Sequence, residues 1–199
     1  MVFALTSSAD HLRKLQDLIW QKNVAVVGNA SDSKYYSNSI DDFDVVVRMN
    51  LGYLQGPERP ENSGKKTTII AISGFYTSDL FEVTNYVVWM THKLRKGLGE
   101  DAKSRLFFYP IQWWKQLADT LNETTTDEQR KVEPSTGLMV LHLLLKLGGS
   151  NSIKTFGFDG WNSETWYEGC VRPGPHSPLK EVELLETWAK HGWIELFRP

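Results

Sequence analysis

Two short runs of apolar, mostly β-branched residues constrain the fold of this chain more than any other feature. Residues 24–27 read Val-Ala-Val-Val, and residues 43–49 read Phe-Asp-Val-Val-Val-Arg-Met. Strands that are apolar at consecutive positions, instead of alternate ones, are buried on both faces and are typical of parallel sheets. The two runs therefore predict strands inside a parallel sheet.

The rest of the chain alternates predicted strands with predicted helices. Further strands are expected at residues 67–72, 86–90, 106–109, 153–158 and 193–197, and helices at residues 111–121, 137–147 and 179–191 and after Ser7 or Ser8. This alternation predicts an α/β fold: one Rossmann-like domain over residues 1–199, with a mostly parallel sheet flanked by helices. Ligands bind beyond the carboxyl ends of such strands, so the loops there are expected to form one site.

Composition limits the partners of the chain. Its 199 residues carry a net charge of −2, which indicates no binding to nucleic acid and no attraction to an anionic membrane. Cys170 is its single cysteine, so no internal disulfide is expected. The first residues predict neither a signal peptide nor a transmembrane segment. We expect a cytoplasmic protein. The sequence leaves open whether it attaches peripherally to a membrane and which oligomeric state it has.

The segment Gly28-Asn29-Ala30-Ser31 follows the first predicted strand. Glycine permits a tight turn and a close approach of the backbone to a ligand, while the asparagine and serine offer short polar groups to a nucleotide. The segment matches neither a GxGxxG fingerprint nor a phosphate-binding P-loop. An ordinary turn after a strand would contain similar residues.

The next polar residues lie around the second predicted strand. Asp41, Asp42 and Asp44 would suit a divalent cation, but we expect no metal there because Asp44 opens an apolar strand. Arg48 lies inside that strand and needs a buried partner, so a structural role is favoured over ligand binding. Asn50 at the strand exit is the better candidate for a ligand contact.

Two later segments can supply anion binding and a base. Ser135-Thr136-Gly137 opens a predicted helix, whose free N–H groups and dipole attract anions; the alternative is a plain helix cap. His176 lies in a loop and can act as a general base near neutral pH. Glu181 follows in the next helix, where it either orients the imidazole or interacts with the helix dipole.

Taken together and in this order, these segments resemble the motifs of the sialyltransferases. Residues 24–50 resemble the large motif, and residues 134–157 resemble the small motif, with Pro-Ser-Thr-Gly at its start. Residues 166–168, Trp-Tyr-Glu, resemble the aromatic third motif, and residues 176–181 have the His and Glu of the last motif. The tail, from residue 157 to the final strand, is also similar to the smaller bacterial sialyltransferases.

The resemblance implies a variant of the GT-A fold and an inverting transfer from a CMP-linked sugar acid to a hydroxyl of a glycan or glycolipid, without metal or other cofactor. It implies His176 as the base, Tyr167 as a donor to the leaving phosphate, and a catalytic role for Glu181. A segment at 159–175 would close over the donor. The donor-binding residues implied are Gly28, Asn29, Ser31, Asn50, Ser73, Ser135, Thr136, Gly137, Gly157, Asp159 and Trp161.

The chain departs from the family pattern at two points. The paired cysteines of eukaryotic members are absent, and Trp166 stands where the third motif usually begins with His. A non-catalytic relative that binds CMP is therefore an alternative. CMP-sialic acid and CMP-Kdo are equally compatible donors. A Rossmann-like oxidoreductase or methyltransferase is disfavoured, because its glycine fingerprint is missing.

Overall fold

The computed structural model describes residues 8–30, 37–54, 63–74, 76–93, 97–123, 131–165 and 174–197. Its strands are β1 (Asn23–Val27), β2 (Val45–Met49), β3 (Ile69–Ile72), β4 (Val87–Trp89), β5 (Phe107–Phe108), β6 (Ser152–Phe156) and β7 (Glu195–Leu196). Its helices are α1 (Ser8–Ile19), α2 (Ser37–Ile40), α3 (Leu80–Val83), α4 (Glu100–Arg105), α5 (Ile111–Asn122), α6 (Thr136–Leu147) and α7 (Pro178–Lys190).

The seven strands form one sheet in the order β5-β4-β3-β2-β1-β6-β7, and every pairing is parallel. The chain proceeds outward from β1 to β5, then returns with β6 on the other side of β1. Val27 at the end of β1 is level with Arg48 of β2 and with Phe156 of β6. Strand order therefore reverses at β1, and a crevice is expected beyond its carboxyl end.

Both faces of the sheet are covered, as the apolar runs predicted. Val24 and Val26 of β1 face a large apolar cluster together with residues of α1, α5, α6 and α7. Ala25 and Val27 face a smaller cluster on the opposite side, with Ile40 of α2. Helices α3 and α4 cover the same side beside β3 and β4. The predicted α/β layers with a central parallel sheet are confirmed.

Differences from the prediction concern short elements. The predicted strands at residues 106–109 and 193–197 are reduced to the two-residue edge strands β5 and β7. An edge strand has a hydrogen-bonding neighbour on one side alone, so less of its chain is held extended. Helices α2, α3 and α4 have four to six residues, which is too short for an apolar period to predict them. Among the described residues, none of the helices is long and apolar enough to cross a membrane.

Candidate active site

Two glycines bring the carboxyl ends of β1 and β6 together. The Gly28 N–H donates to the Phe156 carbonyl over 2.7 Å, and a Cβ added to Gly28 would lie 2.2 Å from the Gly157 carbonyl oxygen. Gly157 itself has φ +67°, a value that favours glycine. The two backbones are thus in direct contact at the point where strand order reverses.

A cavity of about 310 Å³ lies beyond this contact. Its walls come from the loops after β1, β2 and β6, from the start of α6 and from the start of α7. Eleven of the predicted site residues line it: Gly28, Asn29, Asn50, Ser135, Thr136, Gly137, Gly157, Asp159, Trp161, His176 and Glu181. Ser31 and Tyr167 lie outside the described residues, as do residues 166–173 of the segment at 159–175 that was predicted to close over the donor.

Asn29 and Asn50 lie at the ends of β1 and β2. The Asn29 amide donates to the Met49 carbonyl over 3.3 Å, while its Oδ1 is buried and has no hydrogen-bond partner among the described residues. Asn50 has φ +49°, a conformation that asparagine tolerates better than most residues. Asn29 Oδ1 faces Gly52, where an added Cβ would lie 2.6 Å from it, so this oxygen is enclosed by protein.

Ser73 lies behind the cavity and does not line it. Its N–H donates to Asn50 Oδ1 over 2.9 Å, and its hydroxyl accepts from Thr136 Oγ1 over 3.0 Å. Ser73 thereby links the end of β2 to the start of α6. Ser73 was predicted to bind the donor, but in the structure it supports Asn50 and Thr136 from behind the cavity.

Ser135 caps α6 and is held by Glu181 of α7. Its Oγ accepts from the Leu138 N–H over 3.2 Å and donates to Glu181 Oε2 over 2.5 Å, while its N–H donates to Glu181 Oε1 over 2.7 Å. The cap leaves the N–H groups of Thr136 and Gly137 without a partner inside the helix. These two N–H groups, more than the Ser135 hydroxyl, are suited to an anion.

Glu181 is 4% exposed. Burial raises the pKa of its carboxyl group, while the two Ser135 hydrogen bonds and the charge of His176 act in the opposite direction. Glu181 was predicted either to orient the His176 imidazole or to interact with the helix dipole. Both of its carboxylate oxygens accept from Ser135 instead. Among the described residues it makes no hydrogen bond to His176, and its carboxylate is not free at the helix end. Its contacts join α7 to α6.

His176 precedes α7 and lines the cavity. Its Nδ1 lies 2.8 Å from the Glu133 carbonyl oxygen. Because a carbonyl can accept but not donate, Nδ1 carries the proton, and the neutral imidazole keeps its lone pair on Nε2. Glu133 is fixed in turn, since its N–H donates to the Pro175 carbonyl over 2.9 Å and its carboxylate pairs with Lys93 over 2.6 Å. Nε2 is therefore the ring nitrogen that can accept a proton.

The loop after β6 is held by Asp159. One carboxylate oxygen accepts from the Trp161 N–H over 3.0 Å and the other from the Ser163 N–H over 2.6 Å. Gly160 and Trp161 have φ +71° and +68°, and a bulky residue in this region costs about 1–2 kcal/mol. Such strain is concentrated at functional sites. Both carboxylate oxygens of Asp159 thus accept hydrogen bonds from backbone N–H groups of the same loop.

Arg48 has a structural role, the option that the sequence favoured. It is fully buried, and its guanidinium donates to Thr67 Oγ1 and to the carbonyl groups of Lys66, Ser63 and Gly64 at 2.8–3.1 Å. Burial lowers its pKa to about 10, against the charge of Asp41. The loop at residues 63–67 is thereby tied to β2.

Two of the three acidic residues before β2 accept hydrogen bonds from backbone N–H groups. Asp41 accepts from the Lys65 and Lys66 N–H groups at 2.8–2.9 Å, and Asp44 accepts from the Asn23 N–H over 2.9 Å. Within the described part of the chain, no three His, Cys, Asp or Glu side chains are grouped as a metal site.

Sequence reasoning missed Glu133 as a site residue. Asn122 bonds both the N–H and the carbonyl of Val132 at 2.8–2.9 Å, and the carbonyl of the next residue, Glu133, holds His176. A backbone carbonyl is present in every residue, so no pattern in the sequence could single out this one.

No protein-family model and no curated protein sequence matches this chain. Solved structures, in contrast, match it over nearly its whole length. A mammalian sialyltransferase crystallised in complex with Gal-β-1-3GalNAc-ortho-nitrophenol superposes with a TM-score of 0.66 and 18% identity, covering 98% of this chain and 81% of its own. A second mammalian sialyltransferase structure gives 0.65 and 19%, covering 98% and 80%.

The all-parallel sheet and its crevice at the reversal of strand order define the chain as a Rossmann-like α/β protein with a cavity beyond the ends of β1 and β6. More particularly, it has the sialyltransferase-type variant of the GT-A fold, because both mammalian sialyltransferase structures match over 98% of its length. The fold expected from the motif resemblance is confirmed.

Proposed function

We propose that this protein is an inverting glycosyltransferase that moves a sialic acid, or a related 2-keto sugar acid such as Kdo, from CMP to a hydroxyl of a glycan or glycolipid. One observation supports this most: in a sialyltransferase-type fold, an oriented histidine and the N-terminus of α6 line the same cavity. The neighbouring structure that holds Gal-β-1-3GalNAc-ortho-nitrophenol supports a glycan as the class of acceptor.

The anionic donor would lie across the starts of α6 and of the loop after β1. The N–H groups of Thr136 and Gly137 and the helix dipole would hold the cytidine phosphate or the sugar carboxylate. Asn29 and Asn50, which both line the cavity, would bind the nucleotide. Donors aimed at the charge that develops on the leaving phosphate lower the barrier by about 3 kcal/mol each.

His176 would remove the proton from the acceptor hydroxyl. As that oxygen attacks the anomeric carbon, its proton passes to Nε2, and the bond to CMP breaks with its electron pair on the phosphate oxygen. Nδ1–H stays bonded to the Glu133 carbonyl, which stabilises the resulting imidazolium. A single displacement inverts the anomeric configuration. Tyr167 would donate to the leaving phosphate.

The reaction would need no metal ion: of Asp41, Asp42 and Asp44, Asp41 and Asp44 are bonded to backbone N–H groups, and none of the three lines the cavity. Charge on the leaving phosphate would be met by the N-terminus of α6 and by hydrogen-bond donors instead.

The test is release of CMP from CMP-sialic acid and from CMP-Kdo, with EDTA present, by wild type, His176→Ala and His191→Ala. His191 is a matched control, since its Nδ1 also lies 2.7 Å from a backbone carbonyl, that of Thr187, but it is exposed and outside the cavity. We expect release from one donor, a loss of about 100-fold or more in His176→Ala, and wild-type rates in His191→Ala.

Other outcomes would change the assignment. Binding of CMP without release from either donor would favour the non-catalytic relative, for which Trp166 in place of the third-motif histidine is the motivating observation. Failure to bind CMP at all would reject the proposed function. Loss of activity in EDTA, restored by a divalent cation, would reject the metal-independent mechanism.

A further inference from the structure

Trp161 packs against the proposed base. The indole and the His176 imidazole have ring centroids 5.6 Å apart and an interplanar angle of 33°. Within the described residues, the imidazole has this ring contact and the single hydrogen bond from Nδ1 to the Glu133 carbonyl. One hydrogen bond fixes one atom of the ring, but it leaves the ring free to tilt about that atom.

The position of the indole is itself determined by the loop. Trp161 has φ +68°, its N–H donates to Asp159 Oδ1, and a Cβ on the preceding Gly160 would lie 2.8 Å from Val182 of α7. The loop is therefore seated tightly on the helix that follows His176. A left-handed backbone is uncommon at a bulky residue, and such strain is concentrated at functional sites.

We propose that Trp161 is a positioning residue for His176: its indole face, held by the Asp159 loop, fixes the tilt of the imidazole so that Nε2 meets the acceptor hydroxyl. This inference deepens the proposed function and rests on it. The sequence assigned Trp161 to the donor, whereas the ring contact assigns it to the base. A misplacement of about 1 Å can reduce the rate about 100-fold, so the contact is expected to affect kcat.

Two substitutions separate the ring from the backbone. Trp161→Phe keeps an aromatic face, while Trp161→Gly removes it and suits the positive φ, so folding is preserved. The control is Trp193→Gly, which removes an indole packed on His191 at 5.0 Å and 31°, away from the cavity. Trp193 is 53% exposed.

The kinetic readout is kcat and KM for CMP release. We expect kcat to fall about 10- to 100-fold in Trp161→Gly with KM within about 3-fold of wild type, near wild-type kcat in Trp161→Phe, and no change in Trp193→Gly. Wild-type kcat in Trp161→Gly would overturn the proposal. So would a rise in KM at unchanged kcat, which would make Trp161 a donor contact, or an equal loss in Trp161→Phe.

A second readout does not depend on activity. The ring protons of His176, assigned with His176→Gln, are shifted in NMR spectra by the ring current of the indole. We expect that shift to disappear in Trp161→Gly and to remain in part in Trp161→Phe; an unchanged His176 spectrum in Trp161→Gly would overturn the proposal. If the wild type releases no CMP, the proposed function fails, and the spectra still decide whether Trp161 orients His176.

Discussion

Replacing Glu181 with alanine removes the contact that joins the starts of α6 and α7. Both carboxylate oxygens accept from Ser135, at 2.5 and 2.7 Å, and the residue is 4% exposed. In Glu181→Ala the buried Ser135 N–H loses its acceptor, while the Ser135 hydroxyl keeps its bond with the Leu138 N–H. The substitution therefore leaves one orphaned backbone donor at the edge of the cavity.

The magnitude follows from three contributions. A hydrogen bond to a charged group is worth about 1.5–3 kcal/mol, and a buried donor left unsatisfied costs about 1–3 kcal/mol. Against these, burial raises the pKa of Glu181, so removing the carboxylate relieves part of its desolvation. We expect the free energy of unfolding to fall by about 2–3 kcal/mol, which lowers Tm by about 4–12 °C in a domain of this size.

The assay is urea denaturation of wild type, Glu181→Ala, Glu181→Gln and Glu183→Ala, followed by circular dichroism. The glutamine keeps an amide oxygen for the Ser135 N–H, so we expect it to recover most of the loss. Glu183 is exposed on the same helix, and its substitution should change stability by less than about 0.5 kcal/mol. A Glu181→Ala protein as stable as Glu183→Ala would refute the reasoning.

Three more substitutions test the packing around the site. Gly28→Ala would place a Cβ 2.2 Å from the Gly157 carbonyl oxygen, and urea denaturation should show a loss of about 1–3 kcal/mol; a loss no larger than that of Gly97→Ala, where the space is open, would contradict this. Arg48→Met should cost about 2–4 kcal/mol, because several carbonyl groups lose their donor; a loss below about 1 kcal/mol would contradict the structural role. Burial, aided by the charge of Lys146, lowers the pKa of His142 from 6.5 to about 4. Between pH 4 and pH 6.5, His142 therefore binds a proton in the unfolded chain but not in the folded one. Stability should fall by up to about 3 kcal/mol as the pH drops from 6.5 to 4, and His142→Gln should flatten that slope; an unchanged slope would contradict the assignment.

The central strands could be predicted because burial on both faces leaves few residue types to choose from. In β1 and β2, Val and other apolar residues occupy consecutive positions. Such a run is typical of a strand that is buried on both faces of a parallel sheet. The longer helices were predictable for a similar reason: α5, α6 and α7 each begin and end within one residue of the expected bounds. The short helices α2, α3 and α4 were not, since four to six residues contain too little of a period.

The candidate site was predictable as a set of loops, and its contacts were not. Asn29, Asn50 and Trp161 were expected at one sheet edge because carboxyl ends of parallel strands meet there, and the structure places them on one cavity. The bond from His176 to Glu133 and the packing of Trp161 on that imidazole had no sequence signal. Ser73, expected at the donor, supports Asn50 from behind.

By itself, the sequence determined the parallel sheet, the helices that cover it and the edge at which polar loops gather, because local periodicity reports which faces of each element are buried. Only the tertiary structure decided which groups meet. His176 and Glu133 are 43 residues apart, and Ser135 and Glu181 are 46 apart. Whether such groups lie within 3 Å depends on strand order, register and helix placement, which are properties of the packed molecule and of no single segment.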